Sequence, residues 1–372
     1  MLLADLGADV IKVEAPEGDP IRVQGAGRDG LSWYFAAFNR NKRSITLNLK
    51  SVEGRELLEK LISSSHALVE NYRPGVLDRL GFPVNRLQEL RPGLVSCSIS
   101  GFGGSGPYRN RPAFDFIAQA MSGFMSATGT GDGPPLRTGI PISDLVAGLY
   151  GALAISSSLL RQTRTGEGEH IEVSLTSSMI SLLAYVASNY FATGRVAART
   201  GNDHPIAAPY GMFRTSDGII AIAPSDNTFF IRLIAVLGLD DLANDPRFED
   251  NPHRVQHRHY LNERVQAKLN ENTSAHWIEA LNAAGVPCGP IYDVANVFDD
   301  PQVKSQEMSI EFEQPGYGTI RTTGFPIKMA NTPSTVWRHV PGLGEHQAEI
   351  VEELLRNAAV DQADAIRLQD RK

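Results

Sequence analysis

The strongest constraint on how this chain can fold is the alternation of β-rich runs with helical patterns through its first half. "ADVIKVE" (8–14), "SITLNL" (44–49), "ALVEN" (67–71) and "LVSCSIS" (94–100) combine β-branched and apolar residues at strand length. Between the second and third, "SVEGRELLEKLISSS" (51–65) places Leu57, Leu58, Leu61 and Ile62 at helical spacing, with Ser51 where an N-cap belongs. Such βαβ units bury their apolar faces as a parallel sheet covered by helices. The fold class expected is α/β, a Rossmann-like large domain with a parallel sheet plus a smaller α+β domain.

A long apolar helix should run from Leu145, followed by a turn and strand in "GEGEHIEVSL" (166–175) and a helix to about Thr193. These bound a large domain over residues 1–190. "GRVAARTGNDHPIAAPYG" changes composition and suggests a linker over 191–210. The small domain expected over 211–312 opens with a hairpin in "MFRTSDGIIAIAP" around Ser216-Asp217-Gly218. Helical patterns follow at "FFIRLIAVLG" and "NERVQAKLNENTSAHWIEALNAAG". A return segment over 313–372 ends with the amphipathic helix "GEHQAEIVEELL". The opening "MLLADLGADVIKVE" reads as a scrap of helix capped by Gly7 and then a strand, so the expectation is a truncated N-terminus with a first strand missing.

A formal net charge of −7 argues against nucleic acid as a partner. The two cysteines, Cys97 and Cys288, form no CxxC pair, which argues against a disulfide scaffold or zinc site and suits a cytoplasmic or mitochondrial-matrix protein. No run is expected to reach the length of a membrane span, and no membrane partner is expected. "HRVQHRH" (253–259) reads as a solvated helix face, so no metal site is expected.

"GFGGSG" (101–106) matches the dinucleotide pattern, yet Pro107 and Pro112 prevent the helix that pattern requires. What remains is a glycine loop suited to close backbone approach. Arg40, Lys42, Arg43 and Lys50 gather in "FNRNKRSITLNLK", and Arg73 and Arg79 follow in "ENYRPGVLDRLG". They are either a solvated charged face or an anion-binding group at strand ends. Asp144, after a Gly/Pro-rich loop and before the long helix, is either that helix's cap or a reactive carboxylate. The helix dipole would keep it ionised, and N–H groups of the helix start could hold an oxyanion. No Ser/His or Cys/His arrangement offers a rival nucleophile.

Nine blocks in order, from "LLADLGADVIKVE", "FNRNKRSITLNLK", "VENYRPGVLDRLG" and "SISGFGGSGPY" through "RPAFDFIAQAMSG", "PPLRTGIPISDLVAGLYGAL", "TGEGEHIEVSL" and "GVPCGPI" to "LGEHQAEI", resemble the class III CoA-transferase (CaiB/BaiF-like) family over essentially the whole chain. The resemblance implies a transferase moving coenzyme A between an acyl-CoA and a carboxylic acid, with a CoA thioester as substrate and no permanently bound cofactor. It also implies an interlaced homodimer. The family nucleophile falls on Asp144, which would form a mixed anhydride and then an aspartyl-CoA thioester. Asp115 in "AFDF" matches an acidic position with an orienting or charge-balancing role. Leu47, Asn48, Leu49, Lys50, Asn71, Tyr72, Arg73 and Arg79 match CoA-contacting segments. His204, Pro209 and Tyr210 fall in the region that shapes the acyl pocket, which lacks the multi-glycine loop of formyl-CoA transferases. The blocks are similar to the dicarboxylate branch, implying succinyl-CoA or another dicarboxyl-CoA as donor. The superfamily also includes α-methylacyl-CoA racemases, which carry a histidine where this chain has Phe114, a side chain that moves no protons. A third alternative is a non-catalytic CoA-binding homologue produced by truncation.

Overall fold

A computed structural model describes residues 1–28 and 30–356. The chain separates into two compact units, one comprising Met1–Ser122, Gly139–Leu182 and the chain from Phe298 onward, the other Gly123–Thr138 and Leu183–Val297. These bounds differ from the expected ones at 123–138, at 183–210, which belong to the second unit, and at 298–312. The stretch 123–138 joins the second unit because Arg199 donates to the Thr130 and Gly133 carbonyls at 3.2 and 2.8 Å. Residues 298–312 join the first because strand Ser309–Gln314 pairs antiparallel with Gly318–Thr323, and Phe312 and Ile320 pack beside buried Phe35.

In the first unit we label β1 (Val10–Glu14), α1 (Trp33–Asn39), β2 (Lys42–Thr46), α2 (Val52–Ser64), β3 (Ala67–Glu70), β4 (Val95–Ser100), α3 (Asp115–Met121), α4 (Ile142–Thr165), β5 (Glu169–Ser174) and α5 (Leu175–Ser181). The fold is mixed α/β with parallel sheets. β1 pairs parallel with β2, and β4 lies between β3 and β5 in a second parallel sheet. Ser51 caps α2 by accepting from the Gly54 N–H at 3.0 Å. The apolar stripe of α2 buries Leu58, Leu61 and Ile62 against Ile45, Leu47, Phe82, Leu87, Ile350 and Leu354. Each such side chain contributes about 1.5–3 kcal/mol. Ile350 and Leu354 belong to the terminal helix, which is helical from 347 to 356 among the described residues.

α4 covers one face of the second sheet. Val95, Cys97 and Ile155 are buried together, and a Cβ at Gly151 would stand 3.2 Å from Ile99 Cδ1, so glycine lets helix and strand approach. Contrary to the sequence expectation, α4 is long and apolar enough to cross a membrane by length and composition. Its Ala147–Gly151–Ile155 face is instead packed within the unit, while Leu145, Leu149, Leu153 and Leu160 are exposed on this chain.

The basic run before β2 is neither a solvated face nor an anion site. Arg40 is fully buried and grips Asp5 through two hydrogen bonds of 3.1 and 2.9 Å, also donating to the Thr323 carbonyl at 2.7 Å. Arg43 pairs with Asp9, Glu349 and Glu353. Lys42 donates to Asn39 Oδ1 at 2.9 Å, and burial, then the Lys12 charge, push its ammonium down to about 8. Acids distant in sequence satisfy these cations, which is why the local run gave no sign of their burial.

In the second unit, Gly211–Arg214 and Ile219–Ile222 form the antiparallel hairpin, and Cys288–Pro290 adds a third strand. Phe230, Leu233, Ile234 and Leu237 of helix Asn227–Leu237 pack against Leu261, Val265, Leu269, Trp277 and Leu281.

Candidate active site

The start of α4 is built from two places in the chain. α4 begins at Ile142 with Pro141 as its N-cap residue, and the cap residue makes no side-chain hydrogen bond. A proline is compatible with a helix start because the first N–H groups of a helix have no intrahelical acceptor. Ser143, completely buried, has its N–H and its hydroxyl both directed to Asp115 Oδ1, each at 2.9 Å. Asp115 is the first residue of α3, so a carboxylate 28 positions away supplies the cap that α4 lacks locally.

Asp144 is therefore not the cap. It is the third residue of α4, in its first turn, and exposed. Although the side chain reaches solvent, surrounding protein atoms remove part of its hydration, and the neighbouring Asp115 carboxylate repels it. Together these push its pKa from 3.8 up to about 6. The helix dipole, expected to keep the acid strong, is outweighed. At pH 7 a group of that pKa is still about nine-tenths ionised. The expected oxyanion-holding N–H groups are largely occupied: Ile142 donates to the Ile140 carbonyl, Ser143 to Asp115, and Leu145 to the Pro141 carbonyl.

Asp115 is buried, with Oδ2 accepting from Gln119 Nε2 at 2.7 Å. Phe114, the N-cap residue of α3, is 79% exposed, so an apolar ring stands immediately before Asp115. Ser143 and Gln119 were missed by sequence reasoning. The one-turn spacing of Gln119 from Asp115 is a readable signal, whereas the pairing of Asp115 with Ser143 is not.

The other face of the β3–β4–β5 sheet holds a cleft. Its floor includes Ser96, Ser98 and Ser100 of β4, and Glu70, Tyr72, Arg73, Arg109, His170 and Glu172 line it. Ser96 Oγ and His170 Nδ1 are 2.8 Å apart, and the Gly104 N–H donates to Glu172 at 3.2 Å. A Cβ at Gly104 would lie 2.2 Å from Glu172 Oε1, so the loop "GFGGSG" requires glycine there by close approach. Tyr72 and Arg73 thus share one cleft, while Asn71 and Arg79 lie exposed in the same turn region. Among the described residues no carboxylate pairs with Arg73 or Arg79. In the segment after β2, Asn48 and Lys50 are exposed, Leu47 is buried in the core, and Leu49 packs against that core.

His204, Pro209 and Tyr210 belong to the second unit. The His204 ring lies between Tyr185 and Tyr210, with centroids 6.2 and 4.8 Å away. Their loop is held by arginines: Arg254 donates to the Ala208 carbonyl at 2.9 Å, and Arg258 to the His204 and Ala207 carbonyls at 2.5 and 3.2 Å. Glu249, Asp250 and His253 approach one another at the start of helix Asn251–Gln256, where Asp250 caps the helix and accepts from the His253 N–H.

Comparison with known proteins places the site in context. The model of the family described as CoA-transferase family III matches residues 1–347. The chain is 37% identical over 361 residues to a succinate–glutarate CoA-transferase of Agrobacterium fabrum, covering 95% of this chain and 90% of that protein. It is 40% identical over 331 residues to an acetyl-CoA:oxalate CoA-transferase of Acetobacter aceti, covering 88% and 84%. A crystal structure of a CaiB/BaiF family protein from Brucella suis superposes with a TM-score of 0.83 at 39% identity, covering 95% of this chain and 93% of that one.

Proposed function

Because the chain belongs to CoA-transferase family III and is an enzyme moving CoA between an acyl-CoA and a carboxylic acid, we propose that Asp144 is the nucleophile of that transfer. The observation that carries this reading is the state of Asp144: exposed, in the first turn of α4, and with its pKa lifted to about 6. A carboxylate that has lost hydration is more basic and attacks better, yet this one remains mainly ionised at neutral pH.

In the proposed sequence, an Asp144 oxygen attacks the thioester carbonyl of the donor. The C–S bond breaks, CoA leaves as thiolate, and a mixed anhydride remains. The thiolate then attacks the Asp144 carbonyl carbon, releasing the donor acid as its carboxylate and leaving an aspartyl-CoA thioester. The acceptor carboxylate attacks that thioester, regenerating thiolate and a second anhydride. Attack of the thiolate on the acceptor's acyl carbon restores the Asp144 carboxylate. No proton is gained or lost overall, so no general acid is needed, and the apolar Phe114 fits transfer better than racemisation.

We assign the CoA contacts to Asn48 and Lys50 through their side chains, to Leu47 and Leu49 through their main chain, and to Asn71, Tyr72, Arg73 and Arg79. The arginines without carboxylate partners suit phosphate. Recognition of the acid is assigned to His204, Pro209 and Tyr210. Succinate, glutarate and oxalate in the relatives' names are all dicarboxylates, which supports a dicarboxylic acid or its CoA thioester as substrate. The exposed leucines of α4 support a homodimer, an assignment that sedimentation as a monomer would remove.

The test is chemical trapping. Protein incubated with succinyl-, glutaryl-, acetyl- or oxalyl-CoA and hydroxylamine should acquire a hydroxamate at Asp144, located by peptide mass spectrometry. Absence of that adduct with every donor, in protein that turns over, would refute the covalent role.

A further inference from the structure

Three donors converge on the two oxygens of Asp115. Oδ1 accepts from the Ser143 N–H and hydroxyl, each at 2.9 Å, and Oδ2 accepts from Gln119 Nε2 at 2.7 Å. Gln119 and Ser143 are completely buried, and Asp115 is 8% exposed. With donors on both oxygens, the group is used here as a carboxylate rather than an acid. Gln119 stands one turn beyond Asp115 on α3, so the two side chains share a helix face, and Ser143 immediately precedes Asp144 in the chain. An amide donates at every pH, which a carboxyl at position 119 would not do.

We propose that Gln119 is a positioning residue for CoA transfer: by holding Oδ2 of Asp115 it turns Oδ1 onto Ser143, locks the first turn of α4, and keeps a negative charge beside Asp144. This rests on reading Asp144 as the nucleophile. Gln119 donates to the residue that both caps α4 and repels Asp144, so its effect on the site should reach Asp144 through Asp115. Among the described residues no other charged side chain acts on Asp144. α5 (Leu175–Ser181) and β4 (Val95–Ser100) contain none, Asp115 and Asp144 are the charges of the two first turns, and His170 and Glu172 of β5 line the cleft on the opposite face of the sheet. Glu169, at the start of β5, is exposed. The elevated pKa of Asp144 has burial as its larger cause and Asp115 as its second, so disturbing Asp115 should lower it in part.

The experiment compares Gln119→Leu and Gln119→Glu with the wild type in three measurements: kcat/KM against pH, KM for the acyl-CoA, and the rate of hydroxamate formation at Asp144. In Gln119→Leu, Oδ2 loses its donor, the Asp115 side chain is no longer held in one orientation, and its repulsion of Asp144 weakens. The expected result is a fall in kcat of about 10–100-fold with KM changed less than about twofold. The acid limb of kcat/KM should also move down from its wild-type position near 6. In Gln119→Glu, the introduced carboxyl donates like the amide only while protonated. Activity relative to wild type should therefore be close to one at the acid end and decline steadily as pH rises.

A folded Gln119→Leu protein with the wild-type acid limb overturns the proposal, even if its melting temperature drops, since that pattern marks a structural role alone. If Gln119→Leu does not fold, Gln119→Glu decides, and a flat activity ratio across pH overturns it. Trapping separates the two readings. Hydroxamate forming at the same rate in wild type and Gln119→Leu removes only the role of Gln119. No hydroxamate in active wild type removes the nucleophile, and with it this inference.

Discussion

The first turns of α3 and α4 each carry an aspartate, and the fold treats the two carboxylates in opposite ways. Asp115 is buried and accepts three hydrogen bonds, from Ser143 twice and Gln119 once. Asp144 is exposed, and among the described residues no hydrogen bond reaches its carboxylate. The first arrangement spends the carboxylate's acceptor capacity on structure, joining two helices. The second leaves that capacity open while crowding and repulsion raise the group's basicity. Two identical side chains thus become a brace and, on the proposed reading, a nucleophile through their surroundings alone.

Substitutions at the two positions should separate these roles. The largest effect is expected for Asp144→Ala: transfer should fall by at least ~10⁴-fold while CoA binding, read by calorimetry, and the folded circular-dichroism spectrum persist. Full turnover in that variant would erase the contrast, because neither aspartate would then be reactive. Asp115→Ala should lower both transfer and the stability of the fold. It strands the Ser143 N–H and hydroxyl and the Gln119 amide in a buried place, a loss of about 2–3 kcal/mol readable as a lower urea midpoint. A midpoint equal to wild type would show that Asp115 braces nothing.

The smallest and most discriminating effect concerns stability against pH at Asp144. A folded-state pKa raised from 3.8 to about 6 means that the folded protein favours the neutral acid. That contribution to stability is present below the ordinary carboxyl range and is lost as pH rises through about 6. Asp144→Asn is neutral throughout, so it should melt higher than wild type at pH 8, with the gap closing by about pH 4. A gap of the same size at both pH values would mean that charge at residue 144 opposes nothing in the fold.

Much of the architecture was legible in local pattern. The strands over 10–14, 42–46, 67–70 and 95–100 and the Ser51-capped helix over 52–64 follow from side-chain periodicity and capping chemistry, which act within a few residues. The family blocks were legible for the same reason, being contiguous. The fate of the cations was not. Arg40 and Arg43 looked available for anions, yet they are paired, whereas among the described residues no carboxylate pairs with Arg73 or Arg79; the difference lies with Asp5, Asp9, Glu349 and Glu353, up to 310 positions away. Nor could the sequence say whether Asp144 capped its own helix, since the actual cap comes from α3.

What the sequence alone determined is therefore the order and type of the elements, the presence of a carboxylate at the head of the long helix, and the family to which these blocks are similar. Tertiary structure decided which aspartate would be saturated with donors and which would stand exposed with a raised pKa, and which arginines would be neutralised. The physical reason is one of range. Backbone propensity and periodicity act between neighbours, but hydration and electrostatic repulsion depend on whatever the folded chain brings within a few ångströms, however far apart in sequence.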